Sequence, residues 1–249
     1  MKVFSSCLKT LAIISFWLVV WEVTTLVVGS SLIIVSPRVA FARLFALAQT
    51  VEFWRNIVTT MGRIAQGFGF AMVVGIFIAV LSAGLKFFHV LILPAINVLN
   101  AVPFASFAVL ALFTMRAEQL SIFVPFVMVL PIIFHNTYKG FASTDPLLLE
   151  MADMFRVPFW KRVVFIYVKT AAPFVLAAAQ VGIGFAWKSG IAAELIVQVR
   201  GTIGGSLHMA RIHLQTADLF AWTIAIVILS FGMEKALGFV CGKAGVGDD

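Results

Sequence analysis

The chain has 249 residues, of which 62% are hydrophobic and 12% charged, and its mean hydropathy is +1.07. Soluble domains are roughly half apolar and a quarter charged, so this composition excludes an ordinary soluble protein and indicates a membrane protein. The formal net charge of +7 does not indicate nucleic-acid binding, because lysine and arginine at the ends of membrane spans set orientation and contact anionic lipid.

Six apolar runs are long enough to cross a bilayer, since a spanning helix needs roughly 20 apolar residues. They lie at 10–29, 64–85, 90–114, 119–136, 171–196 and 217–240. The fourth run contains Pro125 and Pro131, which membrane helices tolerate and which usually introduce a kink. Between the runs, 36–49 predicts a short interfacial helix, and 206–217 is a polar connector of similar kind. The sequence therefore predicts an all-α membrane protein with one domain over 1–249.

Six spans place both termini on the same side of the membrane. With the termini in the cytoplasm, ten lysines and arginines flank the spans inside and seven outside, as the positive-inside rule favours. The apolar stretch after Lys2 and Lys9 has the outline of a secretory signal peptide. No clear small-residue cleavage site follows it, so we expect a retained first span.

The sequence carries no motif typical of catalysis, metal binding or nucleotide binding. Cys7 and Cys241 have no CxxC spacing, and the four histidines are dispersed, so no metal site, cofactor or disulfide is expected. No Ser/His/Asp arrangement or HExxH occurs, and no glycine-rich loop precedes Lys-Ser/Thr. We therefore expect that this chain is not an enzyme.

A charged amphipathic segment, 145–173, interrupts the apolar runs. Helical spacing places four apolar side chains on one face: Leu148, Leu149, Ala152 and Phe155. Three charged side chains face elsewhere: Glu150, Asp153 and Arg156. Asp145 before Pro146 predicts the helix start, and Pro158 ends the helix before a second short one. From the residues alone, the segment is either an amphipathic helix on lipid headgroups or a knob that fits a groove on a partner protein.

The segment resembles the EAA loop of ABC importer permeases, in which Glu-Ala-Ala is followed three residues on by Gly and then by Ile-x-Leu-Pro. The matching positions are Glu150, Ala152 and Ile166. The departures are Met151 for the first alanine, Arg156 for the glycine and Val168-Lys169 for Leu-Pro. Because glycine enters a left-handed turn without strain, we expect Arg156 to adopt a different turn, with Pro158 supplying the break.

The flanks are similar to the nitrate/sulfonate/taurine-type branch, which favours Asp-Pro-x-Leu-Leu-Glu, a tryptophan like Trp160 and a proline like Pro173. Further family-like residues occur in order along the chain: Trp21-Glu22, Ser36-Pro37, Arg63 with Gly67-Phe68, Pro94, Pro103, Ala186-Trp187, Ala193-Glu194 and Leu219-Phe220-Ala221. The resemblance implies a type I ABC importer permease-like fold of about six transmembrane helices, with a cytoplasmic coupling loop at about 137–170.

The resemblance also implies a function: the permease subunit of an ATP-driven importer for a small anionic or organic solute, such as nitrate, a sulfonate or taurine. ATP hydrolysis would belong to a separate ABC ATPase subunit. The implied coupling residues are Asp145, Leu149, Glu150, Ala152, Arg156 and Trp160. We expect Glu150 to contact the ATPase and Trp160 to anchor the second short helix.

The remaining implied partners are an extracytoplasmic substrate-binding protein, a second permease copy forming a homodimer, and the lipid of the bacterial cytoplasmic (inner) membrane. The alternative function is a self-contained secondary transporter or channel. That alternative predicts internal repeats, which the sequence lacks, and gives no reason for the EAA-like loop.

Three charges lie in or near the apolar spans: Glu22, Lys188 and Glu194. Charged groups are costly in a bilayer, so such residues usually line a pathway or are paired. Glu22 favours a structural pair or an interfacial position, and Glu194 is close enough to a span end to reach the outer headgroups. Lys188 lies deep in its run, where it would attract an anion in transit or pair with Glu194 or Glu22. The glycines at 62, 67, 69, 75, 182, 184 and 190 are spaced for close helix packing.

Overall fold

The computed structural model describes residues 2–243 and the side chains of residues 12–239, so the side chains of Cys7 and Cys241 lie outside the described part. Within it the chain is helical, with short connections. The helices are α1 Lys2–Val28, α2 Pro37–Ala48, α3 Val51–Gly84, α4 Lys86–Ala101, α5 Phe104–Ala111, α6 Ala117–Ala142, α7 Pro146–Met154, α8 Phe159–Arg162, α9 Val168–Val197, α10 Ile203–Ile212 and α11 Thr216–Lys243. A π-helical segment, Val163–Tyr167, joins α8 to α9.

Long apolar helices account for the predicted spans. Four are long and apolar enough to cross a membrane: Val51–Gly84, Ala117–Ala142, Phe159–Val197 and Thr216–Phe239. The bent pair α4 and α5 makes a fifth when counted as one span, and α1 supplies a shorter apolar helix, Ala12–Val28. Five of the six predicted runs therefore lie in single helices, the run 90–114 covers the bent pair, and the predicted all-α membrane fold is confirmed.

The prediction of one continuous span over 90–114 is wrong, because the chain bends by 99° between α4 and α5. Val102 and Pro103 hold extended backbone at the bend, with ψ angles of 127° and 126°. Proline disfavours the helical conformation of the residue before it, which ends α4 at this point. By contrast, α6 continues through both Pro125 and Pro131.

Helix caps explain why some helices begin at residues other than those predicted from the apolar runs. The α3 helix begins at Val51, well before the predicted 64, because the Thr50 hydroxyl accepts a hydrogen bond from Phe53 N at 3.3 Å and so satisfies a free amide of the first turn. The predicted helix at 36–49 is α2, which Ser36 caps and Pro37 begins. The predicted connector at 206–217 corresponds to α10 and the turn that follows it.

The core forms where α6 packs between α3 and α9. Two glycines permit close helix contacts in this core: a Cβ on Gly67 of α3 would lie 2.3 Å from the carbonyl oxygen of Ile122 on α6, and one on Gly190 of α9 would lie 2.5 Å from Cγ1 of Ile64 on α3. Trp187, at 1% exposure, fills the centre of the bundle. Its indole N–H donates to the carbonyl of Ile226 at 3.3 Å, which ties α9 to α11. The predicted packing role of glycine is confirmed at these two positions.

Candidate functional site

The predicted coupling segment forms an elbow between the ends of α6 and α9, and we use that name for residues 143–162. The α7 helix leaves the end of α6 and is followed by a turn at 155–158. The second short helix was predicted as a separate element, and this is wrong. The α8 helix continues through the π-helical segment into α9, so that one helical path runs from Phe159 to Val197.

The α7 helix starts as predicted. The Asp145 carboxylate accepts a hydrogen bond from Leu147 N at 2.9 Å, and Pro146 occupies the first turn. This arrangement satisfies a free amide with a side-chain oxygen and uses proline where its missing N–H has no cost. The N-cap prediction for Asp145 is confirmed, and the direction in which α7 leaves α6 is fixed at this residue.

The end of α7 departs from prediction at Arg156. Its φ is +47°, in the left-handed region that the motif glycine would occupy, so the expectation of a different turn is wrong. The C-terminal hydrogen bonds are Val157 N to Ala152 O at 2.9 Å and Arg156 N to Asp153 O at 3.0 Å. This is the Schellman pattern, which normally places glycine at the left-handed position. Here arginine keeps the turn at a strain of about 1–2 kcal/mol.

We expect Arg156→Gly to stabilise the elbow by about 0.5–1 kcal/mol. Glycine removes the left-handed strain, but it also raises the conformational entropy of the unfolded chain, which offsets part of the stabilisation. The measurement is hydrogen exchange of the Val157 amide, which should slow by about two- to fivefold. Arg156→Ala is the control, since it also removes the guanidinium but keeps the Cβ. Equal slowing in both variants would show that the side chain, not the backbone strain, matters.

Arg162 holds the elbow together. Its Nε donates to the carbonyl of Val157 at 2.8 Å, its Nη2 donates to the carbonyl of Ala152 at 3.3 Å, and its Nη1 pairs with the carboxylate of Asp153. One guanidinium therefore joins the start of the long helix to the end of α7. Trp160, predicted to anchor this helix, is instead 63% exposed. Sequence reasoning missed Arg162 because its partners lie across a turn whose geometry was not known.

The outer surface of the elbow is apolar and uncovered. Of the predicted apolar face, Ala152 is buried and Leu149 half-buried, whereas Leu148 and Phe155 are exposed. Other large apolar side chains of the elbow are also exposed: Leu147, Met151, Met154, Phe159 and Trp160. Glu150 lies exposed among them and has no hydrogen bond or ion pair within the described part of the chain. The elbow thus has an outer surface that is mostly apolar and carries an exposed carboxylate.

Glu194 lies at the opposite end of the bundle and is fully buried, so it does not reach the outer headgroups. Its Oε2 accepts hydrogen bonds from the Thr60 hydroxyl at 2.9 Å and from Gly204 N at 3.3 Å. The Thr60 hydroxyl oxygen in turn accepts from Ile203 N at 2.9 Å. A carboxylate at a helix N-terminus is stabilised by the free amides and the helix dipole. Glu194 therefore ties together α3, α9 and α10.

The other two predicted intramembrane charges are not brought together with Glu194. Lys188 is exposed and Glu22 is half-buried, and neither has an ion pair or hydrogen bond among the residues that the structure describes. The alternatives in which Lys188 pairs with Glu194 or Glu22 are not found. Sequence reasoning also missed Glu234 on α11, although its position inside the apolar run 217–240 was a sufficient signal.

A cavity of about 670 Å³, with both polar and apolar walls, opens at the same end of the bundle as α10. Its walls include Glu52, Asn56, Arg200, Ser206, His208 and Asp218. At its edge Arg43 pairs with Asp218, joining α2 to α11. The hydrogen bonds from Arg43 to Asp218 raise the pKa of the arginine. Within residues 12–239, no three histidine, cysteine or acidic side chains lie together as metal ligands would.

Long apolar helices, a surface elbow at one end and a cavity with charged and polar residues in its walls at the other are typical of a polytopic transport protein. Residues 71–233 match the family model for the "Binding-protein-dependent transport system inner membrane component", and the chain belongs to this family. It is 25% identical over 183 residues to a probable ABC transporter permease protein of Brucella melitensis, covering 73% of this chain and 74% of that protein. It is 27% identical over 143 residues to the nitrate import permease protein of Synechocystis, covering 57% and 52% of the two chains.

The fold has a counterpart among solved structures. A crystal structure of an amino acid ABC transporter with histidines matches 80% of this chain and 95% of its own chain, with a TM-score of 0.63 and 16% identity. The predicted ABC importer permease and its type I fold are confirmed. The family description is of the inner-membrane component of a transport system that depends on a binding protein.

Proposed function

We propose that this chain moves a small anionic or organic solute across the cytoplasmic membrane, driven by a separate ATPase that docks on the elbow. The observation that carries the proposal is the contrast within the elbow. Its interior is fixed by Asp145 and Arg162, whereas its outer surface is exposed and has a free carboxylate at Glu150. A rigid projection with an exposed mixed surface suits a groove on a partner protein.

The path from the elbow into the membrane supports coupling. Since α8 continues into α9 without a break, a displacement of α7 passes through the Arg162 contacts to the helix that reaches Val197. At the far end Glu194 connects α9 to α10 and α3. Movement at the elbow is thereby linked, through α9, to the opposite end of the bundle, where the cavity opens. No bond chemistry is required of this chain.

The arrangement of partners follows from the two ends. The elbow and both termini face the cytoplasm, and the cavity end faces the substrate-binding protein. A second copy of this chain completes the pathway as a homodimer. The solute class rests on relatives that include a nitrate import permease and a bicarbonate transport system permease of Synechococcus elongatus, the latter 26% identical over 153 residues. Of the intramembrane charges, Glu22 is proposed to sit beside the pathway and Glu194 to hold its outer end.

The test is affinity purification of this chain from its native membrane, with mass spectrometry of the bound proteins. We expect a stoichiometric ATPase whose binding is about 10- to 30-fold weaker in Trp160→Ala, the range for a buried aromatic contact at an interface. Glu150→Ala should weaken the same binding. Glu118→Ala is the matched control, because Glu118 is an exposed carboxylate at the other end of α6.

Two outcomes would contradict the proposal. A chain that purifies alone, yet transports solute in liposomes without ATP, would identify a secondary transporter. An ATPase that is retained equally by all three variants would show that it docks elsewhere and that the elbow lies on lipid headgroups.

A further inference from the structure

Lys188 occupies a position that lipid alone does not satisfy. It is nine residues before the end of α9, or about 14 Å along the helix, and its side chain is exposed. No hydrogen bond or ion pair to Lys188 occurs among the described residues. Charged side chains at this depth normally pair or face a water-filled path, so a counter-charge within reach is expected.

Glu234 on α11 is the acidic side chain placed to supply that counter-charge. Its Oε1 lies 3.5 Å from the point that a Cβ on Gly184 would occupy, so the absence of a side chain at 184 lets the carboxylate lie against α9. Gly184 is four residues before Lys188, and residues four apart lie on the same helix face, one turn from each other. Glu234 is exposed and accepts a hydrogen bond from the Ser230 hydroxyl at 3.4 Å.

The directions of the two helices bring the two side chains toward each other. The two spans are antiparallel, because Trp187 of α9 contacts Ile226 of α11, whereas Gly184, earlier in α9, lies beside Glu234, later in α11. Helical side chains lean toward the N-terminus of their own helix. Lys188 therefore leans toward the level of Gly184, and Glu234 leans from the opposite direction toward the level of Lys188.

We infer that Lys188 and Glu234 form an ion pair between α9 and α11 within the membrane. In this structure the two groups are not within 4 Å of each other, so the inferred pair requires a different lysine rotamer, directed along the shared face toward Gly184. Two other charges do not compete for the pair: Glu194 accepts a hydrogen bond from Thr60, and Lys235, beside Glu234, projects in another direction around α11. The pair adds a polar connection between the helix that leaves the elbow and the last span.

The test is a charge exchange, read by the melting temperature of the purified chain in detergent. It depends on the chain spanning a membrane but not on ATPase docking, so it can fail while the proposed function holds. We expect Lys188→Glu and Glu234→Lys each to lower the melting temperature by about 4–8 °C, because each places like charges side by side. The double variant should recover to within about 2 °C of the unmodified chain.

Lys235→Glu is the matched control, since it changes the charge of the neighbouring exposed residue without affecting the pair. A double variant that loses the sum of the two single losses would overturn the inference. If the single variants fail to accumulate in the membrane, the amount of folded double variant becomes the readout. Accumulation of the double variant alone supports the pair, and its absence also overturns it.

Discussion

Replacing Glu194 with alanine is expected to lower the stability of the folded chain by about 3 kcal/mol, the upper range for hydrogen bonds to a buried charged group. The carboxylate is fully buried and accepts from both Thr60 and Gly204. Its removal leaves the Gly204 amide without a partner at the start of α10. Thermal unfolding in detergent should show a melting temperature lower by about 6–12 °C, with α10 released from α3 and α9.

Glu194→Gln provides the control, because the amide oxygen can still accept both hydrogen bonds. We expect it to keep more than half of the stability that alanine loses. The packing here leaves little room for rearrangement: a Cβ on Gly204 would lie 2.4 Å from the Cβ of Glu194. If Glu194→Ala and Glu194→Gln unfold at the same temperature as the unmodified chain, the carboxylate does not hold α10 in place.

Local chemistry predicted the features that depend on neighbouring residues. Runs of apolar side chains predicted helices, and the Asp145-Pro146 pair predicted the start of α7, because both signals act within one or two turns. The break at Val102–Pro103 has the same local origin, and the proline was visible in the sequence. Apolar length alone predicts a continuous helix here, whereas the restriction that proline places on the residue before it predicts the break.

Contacts between distant residues could not be predicted in the same way. Glu194 and Thr60 are 134 residues apart, and nothing in either neighbourhood indicates the other. The sequence correctly indicated that Glu194 is unusual. A charge near the end of a span can contact lipid headgroups, line a pathway or form buried hydrogen bonds between helices, and the sequence does not distinguish these. Only the packing of α3 against α9 distinguishes these.

The turn at Arg156 shows how tertiary context overrides a residue preference. A motif position that favours glycine is occupied by arginine, and the backbone keeps the left-handed conformation. The strain is offset by contacts that the sequence did not reveal, chiefly the hydrogen bonds of Arg162 to the carbonyls of Ala152 and Val157. The departure from the motif therefore changes the residue but not the path of the chain.

Arg162→Ala is expected to separate ATP hydrolysis from transport. The substitution removes two hydrogen bonds to carbonyls and the ion pair with Asp153, so the end of α7 loses its link to the start of the long helix. We expect hydrogen exchange of the Val157 amide to rise about tenfold or more, given about 1.5 kcal/mol or more for bonds to a charged donor. In the reconstituted importer, the number of ATP molecules hydrolysed per solute moved should rise.

Three further variants distinguish the effect of the guanidinium geometry at position 162 from the effect of its charge. Lys161→Ala removes an exposed cation beside Arg162 and should leave both measurements unchanged. Arg162→Lys keeps the charge but cannot donate to three acceptors in the fixed fork of a guanidinium, so it should behave more like alanine than like arginine. Asp153→Asn removes only the charged partner and should have a smaller effect, because both carbonyl contacts remain. If the reconstituted importer with Arg162→Lys hydrolyses ATP and moves solute at the unmodified ratio, charge alone is sufficient and the fork geometry does not transmit the movement.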